Sequence, residues 1–287
     1  MHRIVNESPR TIKSLALQTL RGKWADGILV MVISYVLTNV PVNIMYAISQ
    51  GRLMGMLSSI YSCLIAGPLN MAVAYYMLRL FRQQDPDYRD MLIGADYKQN
   101  AILLYMLIYF RTLFGFFLFI VPGILTMIKY SQAFYILADD PLKSPQQCMY
   151  ESEYLMQGNK AAFFNLQISF IGWYFLSSIP QSTWSYTLTG GASAASGDLN
   201  SMLSAYAAMN SNLGYELLGL LSLIVDLYRE VANACFYDML VGNLVLRTED
   251  EYYGGYGGYN GYSGYGSTQN PFTGEDTEYK DTDSRDL

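Results

Sequence analysis

Four charged residues lie inside long apolar stretches, where charge is costly. Arg111 and Lys129 fall near the middle of two predicted spans, and Asp226 and Glu230 lie one helical turn apart in the last apolar run. A charge at the bilayer centre costs at least ~2.5 kcal/mol, so such a side chain normally faces protein or water and has a partner. These four are the candidate ligand-binding residues, and we expect the two acids to pair with the two cations.

Two interpretations of these four residues are open at this point. In one, they line a polar cavity near the bilayer midplane that binds an anionic headgroup or solute. In the other, Arg111 pairs structurally and Lys129 extends along a short helix to the membrane interface. The second interpretation places Asp226 and Glu230 at the cytoplasmic boundary.

Patterns typical of catalysis are missing from the sequence. The single histidine is His2, and no HExxH, Gly-x-Ser-x-Gly or Walker motif occurs. Cys63, Cys148 and Cys235 are far apart and form no CxxC pair, so neither a disulfide framework nor a zinc site is indicated. We expect Cys63 and Cys148 to be buried thiols. The sequence thus predicts a protein that is not an enzyme, with no catalytic residue, no metal site and no cofactor.

The composition is that of a membrane protein. Hydrophobic residues make up 52% of the chain and charged residues 15%, against about 25% charged residues in soluble domains. The apolar blocks approach the ~20 residues needed to cross a bilayer. The sequence predicts an all-α polytopic membrane protein with about six transmembrane helices in three hairpins, near residues 27–48, 53–81, 101–121, 124–138, 161–179 and 213–241.

Proline and glycine mark the expected ends of several spans. We expect a turn at Val121-Pro122-Gly123 between the third and fourth spans, and a polar loop over 181–212 after the fifth. Asp139-Asp140-Pro141 is expected to end the fourth span, because the residue before proline disfavours helix. The alternative for these aspartates is a metal or headgroup contact.

Two segments repeat the same helix-terminating signals. Ser8-Pro9 to Gly22 and Ser144-Pro145 to Gly158 have equal spacing, and each leads into a span. We expect the first to be an amphipathic helix that lies on the cytoplasmic membrane surface with its apolar face down. In the second segment, Cys148, Met149, Ser152, Leu155 and Met156 lie on one face of the helix. We expect this stripe to face the protein core or the membrane surface rather than to form a groove for a partner. Similar aromatic endings of the even spans indicate three units, each a surface helix plus a hairpin.

The distribution of charge predicts the topology and the domains. Twelve Lys and Arg residues fall on the side of the N-terminus and Arg52 alone on the other, so both termini are predicted to be cytoplasmic. The chain divides into an amphipathic segment (1–26), a transmembrane domain (27–246) and a disordered Tyr/Gly-rich acidic tail (247–287). The net charge of −6 belongs to the tail, since residues 249–287 carry −7, and no nucleic-acid partner is expected.

A set of motifs gives the chain a family resemblance. The motifs are Leu20-Arg21-Gly22-Lys23-Trp24, Val121-Pro122-Gly123-Ile124, Tyr130-Ser131-Gln132-Ala133, Tyr135-Ile136-Leu137-Ala138-Asp139-Asp140-Pro141, Ser152, Leu155-Met156-Gln157-Gly158-Asn159-Lys160, Ser169-Phe170-Ile171-Gly172-Trp173 and Phe236-Tyr237. With these motifs the chain resembles a bacterial family of integral membrane proteins catalogued as domain-of-unknown-function family 975. The resemblance implies a bacterial plasma membrane, that of a Gram-positive organism, and implies no activity.

Two functions are compatible with these observations. The first is a non-enzymatic scaffold or regulator of envelope components. The alternative is a permease or lipid-handling protein with a cationic intramembrane site at Arg111 and Lys129. The expected partners are the lipid bilayer and other membrane proteins or further copies of the chain.

Overall fold

The computed structural model describes residues 3–48, 52–189 and 219–244, which form α-helices with short connections. No β-strand occurs in these ranges, so the all-α prediction is confirmed for them. The predicted tail (247–287) and residues 190–218 lie outside the described residues. In chain order the helices are α1 (Pro9–Leu20), α2 (Trp24–Ile48), α3 (Arg52–Phe81), a short 3-10 helix (Tyr88–Leu92), α4 (Ile93–Asp96), α5 (Lys98–Leu118), α6 (Ile120–Lys129), α7 (Ala133–Asp139), α8 (Pro145–Leu155), α9 (Lys160–Thr189) and α10 (Leu221–Val241).

Five helical segments are long and apolar enough to cross a membrane, and they indicate a membrane protein. The described part of the predicted sixth span, α10, is not among them. It carries Asp226, Arg229 and Glu230 close together, which lowers its hydropathy. Many large apolar side chains on the five segments are exposed, Phe117 and Ile120 among them, as expected of surfaces that face lipid. The segments are Trp24–Met45, Gly55–Phe81, Lys98–Leu118, Ile120–Asp139 and Lys160–Trp184.

The turn between α5 and α6 falls at Phe119, so its predicted position at 121–123 is wrong. Phe119 has an extended backbone (φ −163°, ψ 162°). Pro122 lies in the first turn of α6. Backbone N–H groups in the first turn have no partner within the helix, so proline, which lacks an N–H, is tolerated there. The hairpin is tight because glycines face each other: a Cβ added to Gly115 would lie 3.1 Å from the Cα of Gly123. A single residue is therefore enough to reverse the chain.

The fourth and fifth spans also differ from their predicted limits. A break at residues 130–132 separates α6 from α7, and no pattern in the sequence predicts it. α7 ends at Asp139, and Asp140 is extended (φ −137°, ψ 92°), which confirms the helix end expected before Pro141. α9 continues through Pro180 to Thr189. The predicted start of a polar loop at residue 181 is therefore wrong.

The repeated signals at the two equally spaced segments produce the same local geometry. Ser8 and Ser144 have φ −69° in both cases and ψ of 149° and 147°. Each serine hydroxyl accepts a hydrogen bond from the backbone N–H three residues later. Gly22 and Gly158 both have φ +77°, a conformation that favours glycine. The structure thus confirms the predicted helix ends of these two units.

The apolar face of α1 contacts protein, so the prediction that this face lies against the membrane is wrong. Ile12, Ala16 and Leu20 are fully buried, and α1 packs mainly against α10. The Tyr228 hydroxyl of α10 donates a hydrogen bond to the carbonyl oxygen of Lys13 (3.1 Å). Because α10 supplies an apolar surface of its own, it covers the face that the pattern alone assigned to lipid.

The α8 stripe belongs to the protein core, one of the two alternatives expected. The side chains of Cys148, Met149, Ser152 and Met156 are buried, and α8 packs against α7 and α5. The core also contains α10 along most of its length and the C-terminal part of α3. These helices position the charged groups described next.

Candidate functional site

Arg111 and Lys129 meet on one aromatic ring. The Arg111 Nη1 donates a hydrogen bond to the Tyr130 hydroxyl (2.8 Å). The Arg111 guanidinium and the Lys129 ammonium lie 5.7 Å and 5.1 Å from the centroid of the Tyr130 ring, within the range of cation–π attraction. Tyr130 follows α6 directly, at the break before α7, so the helix break places the ring between the two cations.

The acid that pairs with Lys129 comes from α8. Its Nζ lies 2.6 Å from Glu153 Oε1, and both side chains are about one-third exposed (27% and 34%). Arg111 is exposed and has a neutral hydroxyl as its partner. The cluster of Arg111, Lys129, Tyr130 and Glu153, called here the Tyr130 cluster, therefore carries one more positive than negative charge.

Asp226 and Glu230 form a separate cluster, so their expected pairing with Arg111 and Lys129 is wrong. Arg229, on the same helix, lies 2.8 Å from Glu230 Oε1 and 3.6 Å from Asp226 Oδ1. Tyr135 donates a hydrogen bond to Glu230 Oε2 (2.7 Å), and the Tyr174 hydroxyl donates to Asp226. Asp226 and Arg229 are three residues apart and therefore lie on one face of α10. The hydrogen bonds from Tyr135 and Tyr174 show that the two acids are directed toward α7 and α9.

A third cluster, which the sequence did not predict, joins the ends of three helices. Arg82, directly after α3, lies 2.6 Å from Asp139 Oδ1 at the end of α7 and 2.7 Å from Asp238 Oδ1 in α10. Tyr237 donates a further hydrogen bond to Asp139 (3.2 Å). The side chains of Arg82 and Asp238 are 13% and 4% exposed.

The electrostatics of this Arg82 cluster favour the charged guanidinium. Burial lowers the pKa of Arg82, but hydrogen bonds from the guanidinium to Asp238 and Asp139 outweigh it and raise the pKa above its ordinary value. Arg82 therefore stays positively charged at any pH at which the protein is folded.

One feature of the sequence indicates that the residues of the Arg82 cluster lie close together. Three even spans share an aromatic ending, with Tyr76, Tyr135 and Tyr237 at corresponding places. Tyr135 and Tyr237 stack in the structure, with ring centroids 5.8 Å apart. If the endings meet, the charged residues beside them meet as well, and Arg82 is opposite in sign to Asp139 and Asp238.

The cysteines and acids of the described ranges form no obvious reactive centre. Cys148 is fully buried, and burial raises the pKa of its thiol to about 12. The thiol is therefore protonated near neutral pH and is a poor nucleophile. Cys63 is only half-buried, so the expectation of burial is confirmed for Cys148 and is wrong for Cys63. Among the described residues no three His, Cys, Asp or Glu side chains are grouped to hold a metal ion.

The comparison with protein families covers the region that holds most of these acids. Residues 116–243 match the model of DUF975, a family described as a protein of unknown function. The expected resemblance is therefore confirmed over this stretch. The DUF975 segment includes Lys129 and the acids of all three clusters, whereas Arg82 and Arg111 precede it. Comparisons with the curated proteins and with the solved structures found no match.

Proposed function

We propose that the chain is a non-enzymatic membrane protein that acts as a scaffold or regulator of envelope components in a bacterial cytoplasmic membrane. The observation that carries the proposal is the pairing of charged side chains between helices. Lys129 of α6 pairs with Glu153 of α8, and Arg82 after α3 pairs with Asp139 and Asp238 of two further helices. Such contacts fix helices relative to one another and favour a rigid framework over a moving one.

The proposal includes the orientation of the chain. Six spans with both termini in the cytoplasm are supported by the excess of Lys and Arg on one side. The sixth span of this proposal is the predicted run 213–241, of which the structure describes residues 219–241. A compartment-sensitive reporter fused to the C-terminus tests this, and an extracellular signal would exclude an even number of spans with a cytoplasmic N-terminus.

The scaffold role is tested by identifying what remains bound to the protein. The full chain is extracted in native membrane discs as wild type and as Lys129→Met, and retained proteins, lipids and small molecules are identified by mass spectrometry. We expect a stoichiometric protein partner in both samples. A small solute that is retained by the wild type and lost from Lys129→Met would refute the scaffold and support transport.

A second candidate function, a permease or lipid-handling protein, is favoured by the Tyr130 cluster. Its net positive charge and the exposed guanidinium of Arg111 would suit an anionic headgroup or solute. Arg111→Leu, alone and with Lys129→Met, should then abolish ligand retention. Arg89→Leu, which removes an exposed arginine outside the candidate spans, is the matched control and should not change it.

A further inference from the structure

A groove with a volume of about 400 Å³ runs between α6 and α9, the two helices that flank α7 and α8 in the chain. Both helices belong to candidate membrane spans, so the groove opens toward lipid tails. One face of each helix lines it, and the residues are Val121, Ile124, Leu125, Ile128, Lys160, Ala161 and Phe164. The volume lies within the ~300–1,000 Å³ of ordinary ligand sites.

Lys160 is the one polar residue in this lining. It begins α9 and is half-buried, and within the described part of the chain its ammonium forms no ion pair or hydrogen bond. Lys129, by contrast, has Glu153 as its partner. An ammonium beside an apolar surface is stabilised by an anion, and the described protein offers Lys160 none.

The groove has the length of a segment of acyl chain. From Val121 to Ile128 the α6 wall rises about 10 Å at ~1.5 Å per residue, against about 15 Å for one half of a ~30 Å hydrocarbon core. An occupant must therefore be apolar and extended in the groove, with a negative group beside Lys160. A phospholipid with one acyl chain along α6 meets both requirements.

We propose that this groove is a binding site for an anionic phospholipid, with an acyl chain between α6 and α9 and the lipid phosphate at the Lys160 ammonium. The charge of Lys160 complements the phosphate, as lysine commonly does in proteins. The site is distinct from the Tyr130 cluster and goes beyond the scaffold role, because it assigns a specific lipid to one surface of the framework.

The test is native mass spectrometry of the full chain in detergent, titrated with phosphatidylglycerol and, separately, with phosphatidylcholine. Lys160→Gln should lower phosphatidylglycerol binding about five-fold, the factor that one lysine contributes near an anionic lipid surface. Lys160→Arg should retain binding. Lys98→Gln is the matched control, because Lys98 is an exposed lysine that begins α5 and lies outside the groove lining.

The apolar half of the site is tested separately. Leu125→Trp should fill the groove and reduce the binding of both lipids, whereas Leu113→Trp, at a similarly exposed leucine of α5, should not. Both leucines are about half exposed (48% and 51%), so neither change disturbs a tightly packed core. Circular dichroism and the melting temperature establish that each variant is folded.

Several results would overturn the lipid site. Unchanged phosphatidylglycerol binding by folded Lys160→Gln would do so, as would an equal loss in Lys98→Gln. If Leu125→Trp abolished a dimer of the wild type and left lipid binding unchanged, the groove would hold a second copy of the chain. These results do not bear on the scaffold proposal, because its test changes Lys129 and measures the retention of a protein partner.

Discussion

Arg82→Met should destabilise the protein strongly, because Arg82 neutralises two carboxylates at once. Asp238 is 4% exposed and Asp139 33% exposed. Removing one partner of a buried ion pair costs ~3–5 kcal/mol, because the other charge stays buried and unpaired. A pair at an exposed carboxylate contributes only ~0–1 kcal/mol. Nearly all of the loss should therefore come from Asp238, with a total of about 3–5 kcal/mol.

The assay is the free energy of unfolding in mixed detergent micelles, measured by helical circular dichroism. Adding Asp238→Asn to Arg82→Met removes the orphaned charge and should recover most of the loss, whereas adding Asp139→Asn should recover little. Lys23→Met is the control, since its partner Asp85 is 87% exposed, and it should have no measurable effect. Equal stability of Arg82→Met and Lys23→Met, or no recovery with Asp238→Asn, would refute the reasoning.

Three further predictions concern helix ends, glycine contacts and thiol chemistry. Ser8→Ala and Ser144→Ala should each cost about 1 kcal/mol of unfolding free energy, and clearly unequal losses would contradict the equivalence of the two caps. Gly94→Ala should lower the melting temperature, because its Cβ would overlap the backbone carbonyl of α3, whereas Gly172→Ala, with open space around it, should not. Since burial raises the pKa of Cys148 to about 12, maleimide should label it negligibly at pH 7–8 in the folded protein and rapidly after unfolding, as mass spectrometry can measure.

The features that were predicted correctly depend on short stretches of sequence. The caps at Ser8 and Ser144 require a serine, a proline and a glycine at fixed spacing, and nothing distant alters them. The end of α7 follows from the proline after Asp140. The apolar spans follow from composition alone, because a helix that crosses lipid must consist mainly of apolar residues.

The features that were missed depend on how helices rotate and approach one another. The partner of Lys129 could not be chosen from the sequence, because Glu153 lies on a helix that was expected to bury an apolar stripe. Likewise, the turn before α6 depends on the contact between Gly115 and Gly123 rather than on the nearby proline. Pairings of this kind are set by tertiary packing, which residue spacing does not encode.

The break between α6 and α7 has a consequence for biogenesis. Its backbone is completed by α8: the Ser152 hydroxyl donates to the Lys129 carbonyl oxygen (2.9 Å) and accepts from the Gln132 N–H (3.2 Å). Peptide groups left unsatisfied in hydrocarbon cost several kcal/mol each. While the chain is being inserted, the α6–α7 segment lacks these bonds until α8 has folded against it. We therefore expect this segment to become stable in the membrane only together with α8.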